Sequence, residues 1–136
     1  MGVPNEQGCI FCSIVRKDSP AALVHEDQET LAFLDLFPLT RGHLLVVPRR
    51  HVDRLTDLPE GEYPGLLRAV SAVCRKVERL STHYNVSMNQ GALAGQIVFH
   101  LHVHVIPRYE GDNAFGRRPR ERLSETEAAA LLKELG

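Results

Sequence analysis

The sequence predicts an α+β domain built on a mostly antiparallel sheet. Three observations predict it. Helix-like and strand-like segments follow one another in the rough order α-β-β-β-α-β-β-α. From Glu60 to about Leu80 the apolar spacing takes the period of an amphipathic helix. Residues 95–109, GQIVFHLHVHVIPRY, instead alternate at period two, the mark of a strand.

Taken in order, "CIFCSIVRK" (9–17) reads as a short helix after a loose N-terminus. "ALVHED" (22–27) and "TLAFLDL" (30–36) read as two strands joined by a turn. "FPLTRG" is a breaker-rich loop. "HLLVVP" (43–48) is a continuous apolar run, as a strand buried on both faces requires. In the next helix Leu66, Val70, Val73, Val77 and Leu80 share one face. Pro64 suits its first turn, where a missing N–H costs little. Cys74 falls among these apolar residues and reads as core packing. "YNVSMNQ" (84–90) predicts a strand, "GALAGQ" a loop, and the histidine run a strand closed by Pro107. Phe99, Leu101, Val103 and Val105 should face one way there, and His100, His102 and His104 the other. A last helix starts at Ser124, with Glu127 placed for an S-x-x-E capping box.

The 136 residues suffice for one domain, 1–136, with no repeat or linker. Hydrophobic content of 43% and charged content of 24% are ordinary for a globular chain. A net charge of -1 argues against nucleic acid or a membrane surface as a partner. No apolar run could cross a bilayer, no signal peptide is visible, and Met1-Gly2 lacks the context of a myristoylation site. The expected location is the cytoplasm. Three cysteines make no disulfide framework, and a C-x-x-C (Cys9, Cys12) in a reducing compartment points to metal or redox chemistry.

Along a strand, alternate residues stand roughly 6.6 Å apart and the outer two histidines roughly 13 Å apart. One metal shared by all three is strained, and the H-x-H metal folds' downstream carboxylate is missing: positions 106–109 are Ile, Pro, Arg and Tyr. No catalytic metal is expected. A neutral imidazole has another use. Its ring nitrogen can attack phosphorus when the other nitrogen's N–H is held by an acceptor. His102, the middle one, is best placed, with His100 and His104 to orient it or to meet phosphate oxygens. Ahead of the run, Gly91 and Gly95 let backbone N–H groups approach a ligand, Gln96 offers an amide, and Asn89 faces the same loop.

His100-Leu-His102-Val-His104-Val-Ile matches His-φ-His-φ-His-φ-φ, φ being apolar, and resembles the histidine triad family of nucleotide hydrolases and transferases. The stretch from "CIFCSIVRKDSPAALVHED" through "RGHLLVVPRRHV", followed by "NQGALAGQIVFHLHVHVIPRY", is similar to that family's two halves in order, over about residues 9–110. The resemblance implies a five-stranded antiparallel sheet with helices, and a homodimer whose sheets join into ten strands. It also implies attack by His102 on the α-phosphate of an adenine nucleotide conjugate, and release of a nucleoside monophosphate from a nucleotidyl-histidine. It places the His100 carbonyl on His102, His104 on phosphate oxygens, Gln96 near the leaving group and His43 at the border of the site. For a purine nucleotide it implies Asp35 on the ribose hydroxyls. Phe11, Ile14, Phe33 and Leu36 would wall the base, and Asn89, Gly95 and Val98 the other side.

The same resemblance, to prokaryotic-type members with a C-x-x-C, implies structural zinc on Cys9, Cys12, His51 and His100, a sound tetrahedral set with no ligand position left open. Two thiols without metal, or a redox pair, are the alternatives. Two functions remain in play: a hydrolase cleaving phosphoramidates or dinucleoside polyphosphates, and a purine-nucleotide-binding regulatory module with incidental turnover. The chain has no Trp, whereas the phosphoramidase type carries one near its C-terminus. Arg117, Arg118, Arg120 and Arg122 are placed either to meet further phosphates or to form a solvated basic loop.

Overall fold

The computed structural model describes residues 8–117 and 119–136; Met1, Gly2 and Arg118 lie outside them. Its elements are α1 (Ile10–Val15), β1 (Leu23–Glu26), β2 (Thr30–Leu34), β3 (Leu44–Pro48), α2 (Tyr63–Val77), β4 (Tyr84–Ser87), β5 (Val103–Pro107) and α3 (Glu125–Leu135). The strands form one sheet in the order β1-β2-β3-β5-β4, every neighbour antiparallel. The five-stranded antiparallel sheet with helices is therefore present.

Both faces of β2 and β3 are covered, so all five residues of each strand are buried. On one face α2 and α3 bury Leu66, Val70, Val73, Val77, Leu131 and Leu135 against Ala32, Val46, Leu101, Val103 and Val105. Leu80, expected on the helical stripe, lies past the helix end and packs against the same cluster. Partly buried Cys74 does likewise, as its core reading expected. On the other face the single short helix α1 sets Phe11 and Ile14 on Leu31, Phe33, Leu45 and Val47. Six residues are too few to cover the sheet, and among the described residues a cavity is left beside α1 that His102, His104 and Ile106 line. That cavity is where the site forms.

Two strands are shorter than the sequence predicts. β4 stops at Ser87, and the chain then turns through a 3-10 turn at Ala92–Ala94, flanked by Gly91 and Gly95 at φ of 94° and 96°. The histidine run is strand only from Val103. The β3–β5 ladder ends at Val46↔Val103, and beyond it the Pro48 carbonyl accepts from the His100 ring, not from a neighbouring strand. A side chain has replaced the ladder bond. The in–out alternation survives this at Leu101, Val103 and Val105, all buried on the α2 side, but fails at Phe99, which is 41% exposed. The capping box is half made. Ser124 Oγ accepts from Glu127 N–H at 3.0 Å, but the Glu127 carboxylate pairs with Arg41.

Candidate active site and metal centre

His102 is the best-defined group of the site. Its Nδ1 lies 2.7 Å from the His100 carbonyl. A carbonyl only accepts, so the proton sits on Nδ1 and the Nε2 lone pair is left available. The ring is 7% exposed and lines a cavity of about 710 Å³. The Phe11 ring stands edge-on to it, centroids 5.1 Å apart. Burial lowers its pKa, so the imidazole is neutral at neutral pH.

The neighbouring histidine is fixed by a relay. Leu39 N–H donates to His43 Nδ1 at 2.9 Å, so the proton of His43 is on Nε2. His43 Nε2 is 3.0 Å from His104 Nδ1, and it must donate. His104 then carries its own proton on Nε2. Burial lowers both rings to a pKa of about 4. His43 is delivered by a turn in which Gly42 takes φ of 89°. Asp35 Oδ2 stands 3.6 Å from His43 Nε2, while Asp35 Oδ1 accepts from Phe37 N–H at 2.8 Å. Asp35, His43 and His104 bring three ligand atoms within 4.8 Å. The relay nonetheless puts a proton on the nitrogen of His43 that a cation would need, and the donor set does not suit a metal.

The metal candidates converge on the far side of the triad. Cys9 caps α1, its Sγ accepting from Cys12 N–H at 3.3 Å, so the helix's first turn presents both sulfurs together. Cys12 Sγ is 3.1 Å from His51 Nδ1, and His100 Nδ1 is 3.5 Å from each sulfur. The four ligand atoms, all on buried residues, lie within 4.8 Å of one another. Atoms around a tetrahedral zinc stand about 3.3–3.8 Å apart, so the set fits. His100 Nε2–H donates to the Pro48 carbonyl at 2.8 Å, which leaves Nδ1 as its ligand atom. His51 Nε2 and Asp53 Oδ1 are the two buried side-chain polar atoms without a hydrogen-bond partner among the described residues, and they face each other at 3.5 Å. A carboxylate behind a histidine is the usual outer support of a metal ligand. Cys9, Cys12, His51 and His100 thus form a Cys2His2 set able to hold a structural metal.

The HIT domain profile matches residues 16–111. The chain belongs to the HIT family. An uncharacterized HIT-like protein of Methanocaldococcus jannaschii is 44% identical over 105 residues, 76% of this chain and 81% of that one. The adenosine 5'-monophosphoramidase hnt1 of Schizosaccharomyces pombe is 35% identical over 128 residues, 93% and 95% of the two chains. A solved Zn-bound histidine triad family protein from Mycobacterium smegmatis shares 36% identity at a TM-score of 0.74, covering 96% of this chain and 95% of that one. The HIT family is one of nucleotidyl hydrolases, and this member carries the triad as His100, His102 and His104.

The structure gathers the sequence-predicted site around two centres. Phe11, Ile14, Phe33, Leu36, Asn89, Gly95 and Val98 all line the cavity, together with Asp35, His102 and His104, and Val98 packs against the cluster of Phe11, Ile14 and Phe33. His43 stands behind His104 and His100 belongs to the metal set. Gln96 is placed differently. Its Nε2 donates to the carbonyls of Asp53 (2.9 Å) and Val98 (3.3 Å), its Oε1 accepts from Gly91 N–H (2.8 Å), and it is 3% exposed. In this state the amide shapes the loop from within. The cavity also takes Ile10, Ile97, Ile106 and Phe115, which the sequence reading missed: apolar residues carry no local sign of which cavity they border. Of the arginine loop, Arg120 reaches the cavity and Arg117 is exposed. Among the described residues, no helix is long and apolar enough to cross a membrane.

Proposed function

We propose that this protein hydrolyses purine nucleotide conjugates, adenine nucleotides first among them, through a nucleotidyl-histidine on His102. The observation that carries the reading is the Nδ1–H of His102 held on the His100 carbonyl at 2.7 Å, with Nε2 unprotonated in a nucleotide-sized cavity. The base sits among Phe11, Ile14, Phe33 and Leu36, and the ribose hydroxyls donate to Asp35. Asn89, Gly95 and Val98 close the ribose-phosphate side. His102 Nε2 attacks the α-phosphorus. The bond from phosphorus to the leaving group breaks, and the leaving group keeps the electron pair. Water then forms a P–O bond as the P–N bond breaks. One proton goes to solvent, replacing the one that a leaving amine takes up as it departs (a leaving phosphate needs none), the nucleoside monophosphate leaves, and His102 is again neutral. His104 donates its Nε2–H to a phosphate oxygen, a fixed donor where charge develops. Gln96 holds the loop beside the leaving group. A metal in the Cys2His2 set would supply rigidity, since four protein ligands leave no position for chemistry. His100, as one of those ligands, would then be fixed, and with it the carbonyl that orients the nucleophile.

The substrate is a phosphoramidate, as the name of the S. pombe relative suggests, or a dinucleoside polyphosphate. The test is incubation with adenosine 5'-phosphoramidate, Ap3A and Ap4A. We expect AMP release that His102→Ala abolishes, with the nucleotide trapped on His102 after rapid denaturation. Saturable AMP binding without turnover would instead make the chain a nucleotide-binding regulatory module. The homodimer is part of the same proposal. Among the described residues β4 is an edge strand, and Val86 on it and Met88, Leu93, Ile97 and Phe99 after it are exposed, apolar side chains suited to a second copy and a joined ten-stranded sheet. Light scattering at the monomer mass would refute it.

A further inference from the structure

A second cavity, of about 720 Å³, adjoins the nucleotide cavity, and Leu39, Phe115 and Arg120 border both. Phe115 and Arg120 stand on the boundary between the two, and described residues on either side of them are anchored. Ala114 N–H donates to Asp112 Oδ1 at 3.0 Å, the Arg108 guanidinium lies over the Phe115 ring at 4.9 Å, and Leu123 N–H donates to the Leu36 carbonyl at 2.7 Å. Between the anchors, Arg120 Nη2 stands 3.5 Å from Asp35 Oδ2. A tight guanidinium–carboxylate bond is about 2.7–2.9 Å long. This pair is loose and the Arg120 side chain is 37% exposed, so exchanging its partner costs little.

The role of Arg120 rests on the hydrolase reading, in which Asp35 binds the ribose hydroxyls. Once they take Oδ2, Arg120 loses its contact with that oxygen and is free to turn to another anion. Among the described residues lining the nucleotide cavity it is the one Lys or Arg. Its next anion is the substrate's own phosphate chain. We propose that Arg120 is a specificity-determining residue that receives an anionic leaving group after the ribose has displaced it from Asp35, the second cavity housing that group's far end. The substrate class is then nucleotides joined by a phosphoanhydride to a second phosphate-bearing group, in preference to nucleotides joined to a small amine. In the first step the Pα–O bond breaks and the departing phosphate keeps both electrons. It leaves as an anion that needs no proton, and Arg120 pairs with it. An amine would have to gain a proton, which a guanidinium does not give up.

The test compares kcat/KM for Ap4A and for adenosine 5'-phosphoramidate in the wild type, Arg120→Ala and Arg120→Lys. The Ap4A-to-phosphoramidate ratio should fall about tenfold or more in Arg120→Ala, as loss of one charge-assisted contact predicts. Arg120→Lys should restore part of it. A ratio that stays put, or one that Lys fails to raise above Ala, overturns the inference while leaving the hydrolase reading intact. A wild type with no His102-dependent turnover of either compound sinks both.

Discussion

Replacing Asp53 by alanine should weaken zinc binding without touching a ligand. With metal on Nδ1, the neutral His51 ring carries its proton on Nε2. The acceptor available to that proton is Asp53 Oδ1, 3.5 Å away, and the His51 side chain is fully buried. In Asp53→Ala the buried N–H is left without an acceptor, which costs about 1–3 kcal/mol. That converts to about a 5–150-fold loss of zinc affinity, in the range expected for removal of an outer support of a metal ligand. Asp53→Asn keeps an acceptor oxygen and should lose less. The assay is competition for zinc with a chromophoric chelator, circular dichroism confirming an unchanged fold. If Asp53→Ala holds zinc as tightly as the wild type, the facing pair of unpartnered atoms does not support the metal.

Acid should destabilise the fold through His43 and His104. Both titrate near 4 in the folded state and near 6.5 when unfolded, so below 6.5 the unfolded chain takes up protons that the folded one refuses. Their contribution is complete above 6.5 and is lost as pH falls toward 4. A melting temperature that stays flat or rises across that window refutes it. Leu131→Ala, at a position 1% exposed on α3, should cost about 2–5 kcal/mol in urea unfolding; a smaller loss would mean that α3 is peripheral to the core. Gly42→Ala forces a side chain into φ of 89°, with a Cβ 2.5 Å from Leu80 Cδ1. It should cost about 1–3 kcal/mol and slow turnover by shifting His43, and full activity at wild-type stability would count against the relay.

Much of this was legible in the chain. The helix of Leu66, Val70, Val73 and Val77, the buried run of β3 and the inward face of Leu101, Val103 and Val105 follow from periodicity, because one-sided burial writes its period into the sequence. The C-x-x-C showed its sulfurs on one helical turn. Other features left no local mark. The shortened histidine strand depends on a bond between the His100 ring and Pro48, 52 residues apart. Phe99 left the apolar face because the ladder had already ended.

The sequence by itself determined which side chains are present for chemistry and which face of each element they share, since both follow from residue type and local repeat. Tertiary structure alone decided where the protons sit and which charges meet. The proton on His104 Nε2 traces back through His43 to the Leu39 N–H, and Arg120 finds Asp35 across 85 residues of chain. Tautomers and ion pairs are set by contacts a few ångströms long, and such contacts exist only once the chain has closed on itself.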